Sequence, residues 1–143
     1  MANEARVFAE GVENVIVRQV TVADATAIAK GSLLVFVGAS RTAIIHTVAG
    51  GPTARPAGFA TSSKEANDGI TEIGVQRTGV VDAYTDGVTT SGELIKVGET
   101  TINSVEGVFS GGAMSYQLAT AILGRALENG TDNQVRRVAL SLG

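Results

Sequence analysis

The residues that could do chemistry in this chain are few. His46 is the one histidine, and so the one side chain whose ordinary pKa suits a general base near neutral pH. It lies in a strand-like pattern between Ile45 and Thr47, where a half-exposed strand histidine is expected. A Ser-His-Asp arrangement would need Ser40, Ser91 or another serine on a sharp elbow, and no Gly-X-Ser-X-Gly run is present. Asp82-Ala-Tyr-Thr-Asp86-Gly87 sets two carboxylates close together beside a glycine. It lacks the alternating oxygen ligands and the distant bidentate glutamate of a calcium loop, so it reads as a polar turn. Asn67-Asp68-Gly69 and Asn129-Gly130 are turn chemistry by the same logic. There is no cysteine, hence no thiolate nucleophile, sulfur metal site or disulfide. No glycine-rich phosphate loop appears, and Gly111-Gly112 alone does not make an anion nest. Arg136 and Arg137, adjacent on a strand, face opposite ways, so at most one serves a given surface. We expect no catalytic residue, no metal site and no cofactor: the chain is equipped for packing.

The bulk composition points the same way. At 143 residues the chain amounts to one domain, able to bury roughly two thirds of its unfolded surface. Hydrophobic residues make up 44% but aromatics only 4%, with no tryptophan, so a core must be built from Val, Ala, Ile and Leu. Such small side chains suit closely packed sheets and barrels. The 18 glycines and 17% charged residues imply many turns and surfaces not all meant for water. A mean hydropathy of +0.22 without a membrane segment suggests partner surface. A net charge of −3, with no Lys/Arg cluster beyond Arg136-Arg137, argues against nucleic-acid binding through phosphates. Met1-Ala-Asn-Glu-Ala-Arg lacks a signal-peptide pattern, and the longest strongly apolar run, Leu33 to Val37, is too short to span a bilayer. The expectation is a protein made in the host cytoplasm with no membrane partner.

The elements that must position these residues read as strands. Residues 1–14 are weakly patterned and are expected to form an N-terminal arm, with 15–143 a single β-rich domain. Val12 to Val22 is rich in branched residues and predicts a strand. Ala23 to Lys30 reads as a loop into the strand Leu33 to Val37, and Thr42 to Val48 as its hairpin partner. Ala49 to Pro56, which carries both prolines, is a surface loop. Strands follow at Ile70 to Arg77, Gly79 to Ala83, and Glu93 to Val97 with Thr100 to Val105 about Gly98. Turn signals recur about every eight to twelve residues, the spacing of an all-β sandwich or barrel. One helix of at most two turns is allowed at Ala113 to Leu123.

The final stretch, Ile122 to Leu142, is a strand, a polar turn and a second strand. Glu128 to Gln134 gathers residues that tolerate reversal, and Val135, Val138, Leu140 and Leu142 offer an apolar face. Val135 and Val138 break strict alternation, which suggests a bulge or a late strand start. Gly124-Arg-Ala126-Leu, a polar link and an apolar strand echo Gly58-Phe-Ala60-Thr, a polar link and Ile70 to Val75. No longer internal repeat is visible.

Gly124-Arg-Ala-Leu-Glu with its Val-rich final strand resembles the C-terminal end of tailed-bacteriophage head decoration (capsid cement) proteins. Ile28-Ala-Lys-Gly-Ser-Leu-Leu-Val, Pro56-Ala-Gly-Phe-Ala-Thr, Gly69-Ile-Thr-Glu-Ile-Gly-Val and Thr90-Ser-Gly-Glu-Leu-Ile-Lys-Val-Gly fit the same family, in the same order. The resemblance covers roughly residues 20 to 143. It implies an all-β, β-tulip-like small barrel or sandwich of short strands acting as a non-catalytic virion protein. Such a protein sits on the capsid exterior as a homotrimer at three-fold sites and reinforces the expanded head. Its partners would be the major capsid protein and its own copies. By analogy, an arm carrying Arg6, Val7, Phe8 and Val12 would lie across the shell. The alternatives are an oligomeric β-barrel enzyme or ligand-binding protein, with His46 and Asp82 or Asp86 meeting between subunits, or a tail or spike module.

Overall fold

The computed structural model describes residues 15–38, 41–47, 55–98, 103–108 and 122–142. Residues 1–14, and with them Arg6, Val7, Phe8 and Val12, lie outside that description, as does most of the helix expected at Ala113 to Leu123. The described chain is all-β, with strands β1 (Val17–Thr21), β2 (Leu33–Phe36), β3 (Ala43–Ile45), β4 (Pro56–Ala60), β5 (Glu72–Gln76), β6 (Thr78–Tyr84), β7 (Leu94–Val97), β8 (Val105–Gly107), β9 (Ile122–Ala126) and β10 (Val135–Ser141). They form two five-stranded sheets, ordered β1-β5-β4-β2-β3 and β6-β10-β9-β7-β8, with every ladder antiparallel.

The second order is the first shifted by five strands, so the chain folds as two tandem copies of one unit. The hydrogen bonds agree in detail. The His46 amide donates to the Leu33 carbonyl as the Val108 amide does to Leu94, at 2.8 and 3.0 Å. Gly31 donates to the Ala60 carbonyl as Gly92 does to Ala126, both at 2.8 Å. The irregularity between Leu34 and Val35 in β2 recurs between Ile95 and Lys96 in β7. In each copy the outermost strands also meet: Thr21 forms a parallel bridge with Thr42, and Thr85 with Val105. Each sheet is thereby closed at one end into a small barrel, whose interior side chains suffice to fill.

The Gly-X-Ala echo seen in the sequence is thus the visible part of a repeat through the whole described chain. Gly58 and Gly124 take the same ladder place opposite Leu34 and Ile95, and there the chain needs glycine. A Cβ on Gly58 would lie 2.5 Å from the Gln76 carbonyl oxygen, and one on Gly124 would fall inside the Ala139 carbonyl.

The two copies divide the core. Val20, Val22, Ile28, Leu34, Ala57, Ile73 and Val75 fill the first unit. Ala83, Ile95, Val97, Val105, Leu123, Val138 and Leu140 fill the second, and Leu33, Val35 and Phe59 of the first unit join that second cluster. Strand β2 therefore serves both, sending Leu34 one way and Leu33 and Val35 the other, as period-two alternation requires. Burying each of these three larger side chains at the contact between units contributes roughly 1.5–3 kcal/mol.

Three expectations need correction. Val135 does not mark a bulge: β10 pairs with β6 without interruption from Val135↔Tyr84 to Ser141↔Thr78. Val135 points outward and Val138 inward, because three residues apart on a strand means opposite faces. The partner of β7 starts at Val105, later than the expected Thr100 to Val105 strand. The helix allowed at Ala113 to Leu123 does not take in Ile122 and Leu123, which open β9, the strand also expected from Ile122.

Candidate functional site

His46 follows β3 and is 1% exposed, not half-exposed as its strand pattern suggested. Its Nδ1 accepts the Asn103 amide at 2.9 Å. That bond places the neutral ring's proton on the other nitrogen, which the Gly98 carbonyl accepts. Asn103, at φ 59°, uses its side-chain oxygen to accept the Leu33 amide at 2.5 Å. The imidazole is therefore a brace between the β7–β8 turn of the second unit and β2 and β3 of the first. Burial pushes its pKa below the usual 6.5, opposed by the Gly98 carbonyl and by the charge of Asp86. With both ring nitrogens engaged by backbone groups, the ring does not act as a base toward a substrate in this arrangement.

The carboxylates once considered with it go separate ways. Asp86, buried, is within electrostatic range of the ring in the same chain. Asp82 lies on the outer face of β6, 3.8 Å from Arg137 across the ladder. Arg136 turns the other way and donates to the Asn129 carbonyl. Ser91 caps the turn at Leu127 and Asn129, while Ser40 lies outside the described residues. No group of three or more His, Asp or Glu side chains among the described residues is placed to hold a metal ion.

Three basic residues carry more of the structure than their sequence context revealed. Arg77 links β5 to β6, donating to the carbonyls of Ala57 (2.6 Å) and Leu142 (3.1 Å), with its guanidinium over the Phe36 ring at 5.8 Å. It thus ties the last strand of the second unit to the first. Lys64 is buried, its amine shared among the carbonyls of Asp24, Thr26 and Glu65 and 3.5 Å from the Asp68 carboxylate. Lys96 is fully buried and lies 3.1 Å from Glu106. Nothing in a run such as Leu-Ile-Lys-Val announces a buried amine, and Glu106 lies ten residues further along the chain, on the next strand.

The surface offers a different kind of site. On the outer face of the second sheet, Tyr84 and Val135 stand opposite each other in the β6–β10 ladder. Leu127 is tied beside them through the hydrogen bond its backbone N–H donates to the Arg137 carbonyl. They are 40%, 56% and 42% exposed. At the corresponding places of the first unit stand Thr21, Glu72 and Thr61, all polar. One copy of the repeat has an apolar trio where the other is wettable, which marks this face as candidate partner surface.

Among solved structures the chain is similar to the crystal structure of the N base of the head fibre gp8.5 of bacteriophage phi29. The TM-score is 0.55 at 12% sequence identity, and the match covers 90% of this chain and 96% of that one. At that identity the likeness is one of fold. No family model matches the sequence, and no curated protein does.

Proposed function

We propose that this chain is a non-catalytic structural protein of a tailed-phage head, carried on the capsid exterior as a homotrimer that reinforces the shell. The observation that carries the reading is the fold match: the phi29 neighbour is the base of a head fibre, and the two chains align over nearly their whole lengths. The order of motifs shared with head decoration proteins supports it independently. So does the engagement of His46 by backbone groups, which leaves the chain's one histidine to packing. The mechanism is area and geometry. Two barrels joined by a common core make a stiff block, and its apolar face at Tyr84, Leu127 and Val135 is suited to a protein neighbour. Repetition over many sites gives avidity that no single contact has to supply.

In this reading the N-terminal residues Arg6, Val7, Phe8 and Val12 reach the major capsid protein. The test has two parts. Light scattering on the purified protein across a dilution series is expected to give the mass of three subunits. Co-sedimentation with expanded heads is expected to saturate, and to be lost when residues 2–10 are deleted while the oligomer persists. A monomer or a dimer at all concentrations, together with no binding to heads, overturns the proposal.

A further inference from the structure

The junction between the two units contains a titratable ring that the proposed role does not use. His46 occupies a ladder place whose counterpart in the second unit is Val108, equally buried. The fold of a single unit therefore does not require a histidine there. What differs at His46 is its surroundings: the Asn103 amide, the Gly98 carbonyl and Asp86 all belong to the second unit. Asn103 in turn holds the Leu33 amide of β2 through its side chain.

We propose that His46 is an acid-release latch between the two units, holding Gly98 and Asn103 of the second unit against β2 and β3 when neutral and letting them go when protonated. A neutral imidazole has one acceptor nitrogen, and here it is spent on the Asn103 amide. Protonation turns Nδ1 into a donor, so two N–H groups confront each other across a 2.9 Å contact. It also places a cation where water does not reach.

Three elements packed around the ring supply its facing groups. β2 contributes the Leu33 backbone, the β7–β8 turn contributes Gly98 and Asn103, and the segment after β6 contributes Asp86. Glu99, next to Gly98 in sequence, lies outside the described residues. Among the described groups, Asp86 is the charge that favours the protonated ring.

The sign follows from linkage. The folded ring binds its proton less readily than the unfolded one, so the latch contributes fully above the unfolded pKa of 6.5 and is lost as pH falls toward the lower folded value. Within that window the opening equilibrium rises by up to about tenfold per pH unit.

Because His46 is the one histidine, its ring signals in a nuclear magnetic resonance titration are unambiguous. The ring is expected to titrate below 6.5, with the amides of Asn103 and Leu33 losing exchange protection over the same range. His46→Asn keeps an oxygen acceptor near the Nδ1 position but cannot be protonated, and its thermal midpoint is expected to stay flat where the native protein's falls. Asp86→Asn removes the favourable charge and is expected to move the native drop to lower pH, a shift that a merely space-filling ring would not show. A ring midpoint at or above 6.5, or Asn103 protection unchanged through the titration, overturns the latch. Should His46→Asn fail to fold, the ring titration and amide exchange of the native protein decide the matter.

Discussion

Lys96 and Glu106 face each other across the β7–β8 ladder, the amine 3.1 Å from the carboxylate and the lysine side chain wholly withdrawn from water. The first unit fills the same two places with Val35 and Ile44, likewise paired across a ladder. The protein thus contains its own comparison between an ion pair and an apolar pair in one fold.

From that comparison, Glu106→Ala is expected to cost roughly 3–5 kcal/mol, because it removes a carboxylate that faces a buried ammonium across the ladder. Lys96→Val combined with Glu106→Ile, which installs the first unit's solution, is expected to be neutral or stabilising. Urea unfolding of Glu106→Ala and of the double variant measures both, and a double variant as unstable as Glu106→Ala refutes the comparison.

Thr89 and Ile28 hold equivalent places, each bridging the polar link of its own unit, to Gly130 and to Lys64. The Thr89 hydroxyl is buried and finds no hydrogen-bond partner among the described residues. Replacing it with a methyl removes an unmet polar group and keeps the branched shape. Thr89→Val is therefore expected to raise stability by about 1 kcal/mol, read as a higher urea midpoint with an unchanged slope.

Gly124→Ala drives a methyl into the Ala139 backbone, which cannot rotate out of the way as a side chain can. A loss of about 3 kcal/mol or more is expected. Gly31→Ala provides the contrast. It meets nothing within 4 Å but must hold φ near +90°, for an expected cost of about 1–2 kcal/mol. A cost at Gly124 no larger than that at Gly31 would mean that close approach to Ala139 does not explain this glycine.

Val135→Asp and Val138→Asp separate the two faces of β10. At 56% exposure Val135 is expected to tolerate the change within about 0.5 kcal/mol in the isolated chain. Val138, 1% exposed, would carry an unpaired charge into the second core and prevent folding. If the outer trio forms part of a subunit contact, Val135→Asp also lowers the mass seen by light scattering, with the fold intact by circular dichroism.

Local pattern carried much of the strand plan. Branched apolar runs between glycine and asparagine turns are short-range signals, and Leu33–Phe36, Glu72–Gln76 and Leu94–Val97 fell where period-two patterning placed them. The turn residues were legible for the same reason: Asn67 and Asn133 adopt φ of 60° and 61°, a conformation their side chains tolerate. The sequence by itself also determined that the chain has one histidine and no cysteine, a limit that composition sets before any folding.

What only the tertiary structure decided is which strands are neighbours and what their contacts make of single residues. The repeat stayed hidden because insertions in the loops shift the spacing of its partners from Leu33/Leu94 to Ala60/Ala126, and few side chains are shared. His46 read as a half-exposed strand residue because the groups that bury it, Gly98 and Asn103, come from a turn far along the chain. Lys96 and Arg77 carry no local sign of their contacts; sheet pairing brings Glu106 to the one and the carbonyls of Ala57 and Leu142 to the other. A strand's alternation has two faces, and the choice of which one is buried, and against what, is made by long-range pairing that no local pattern encodes.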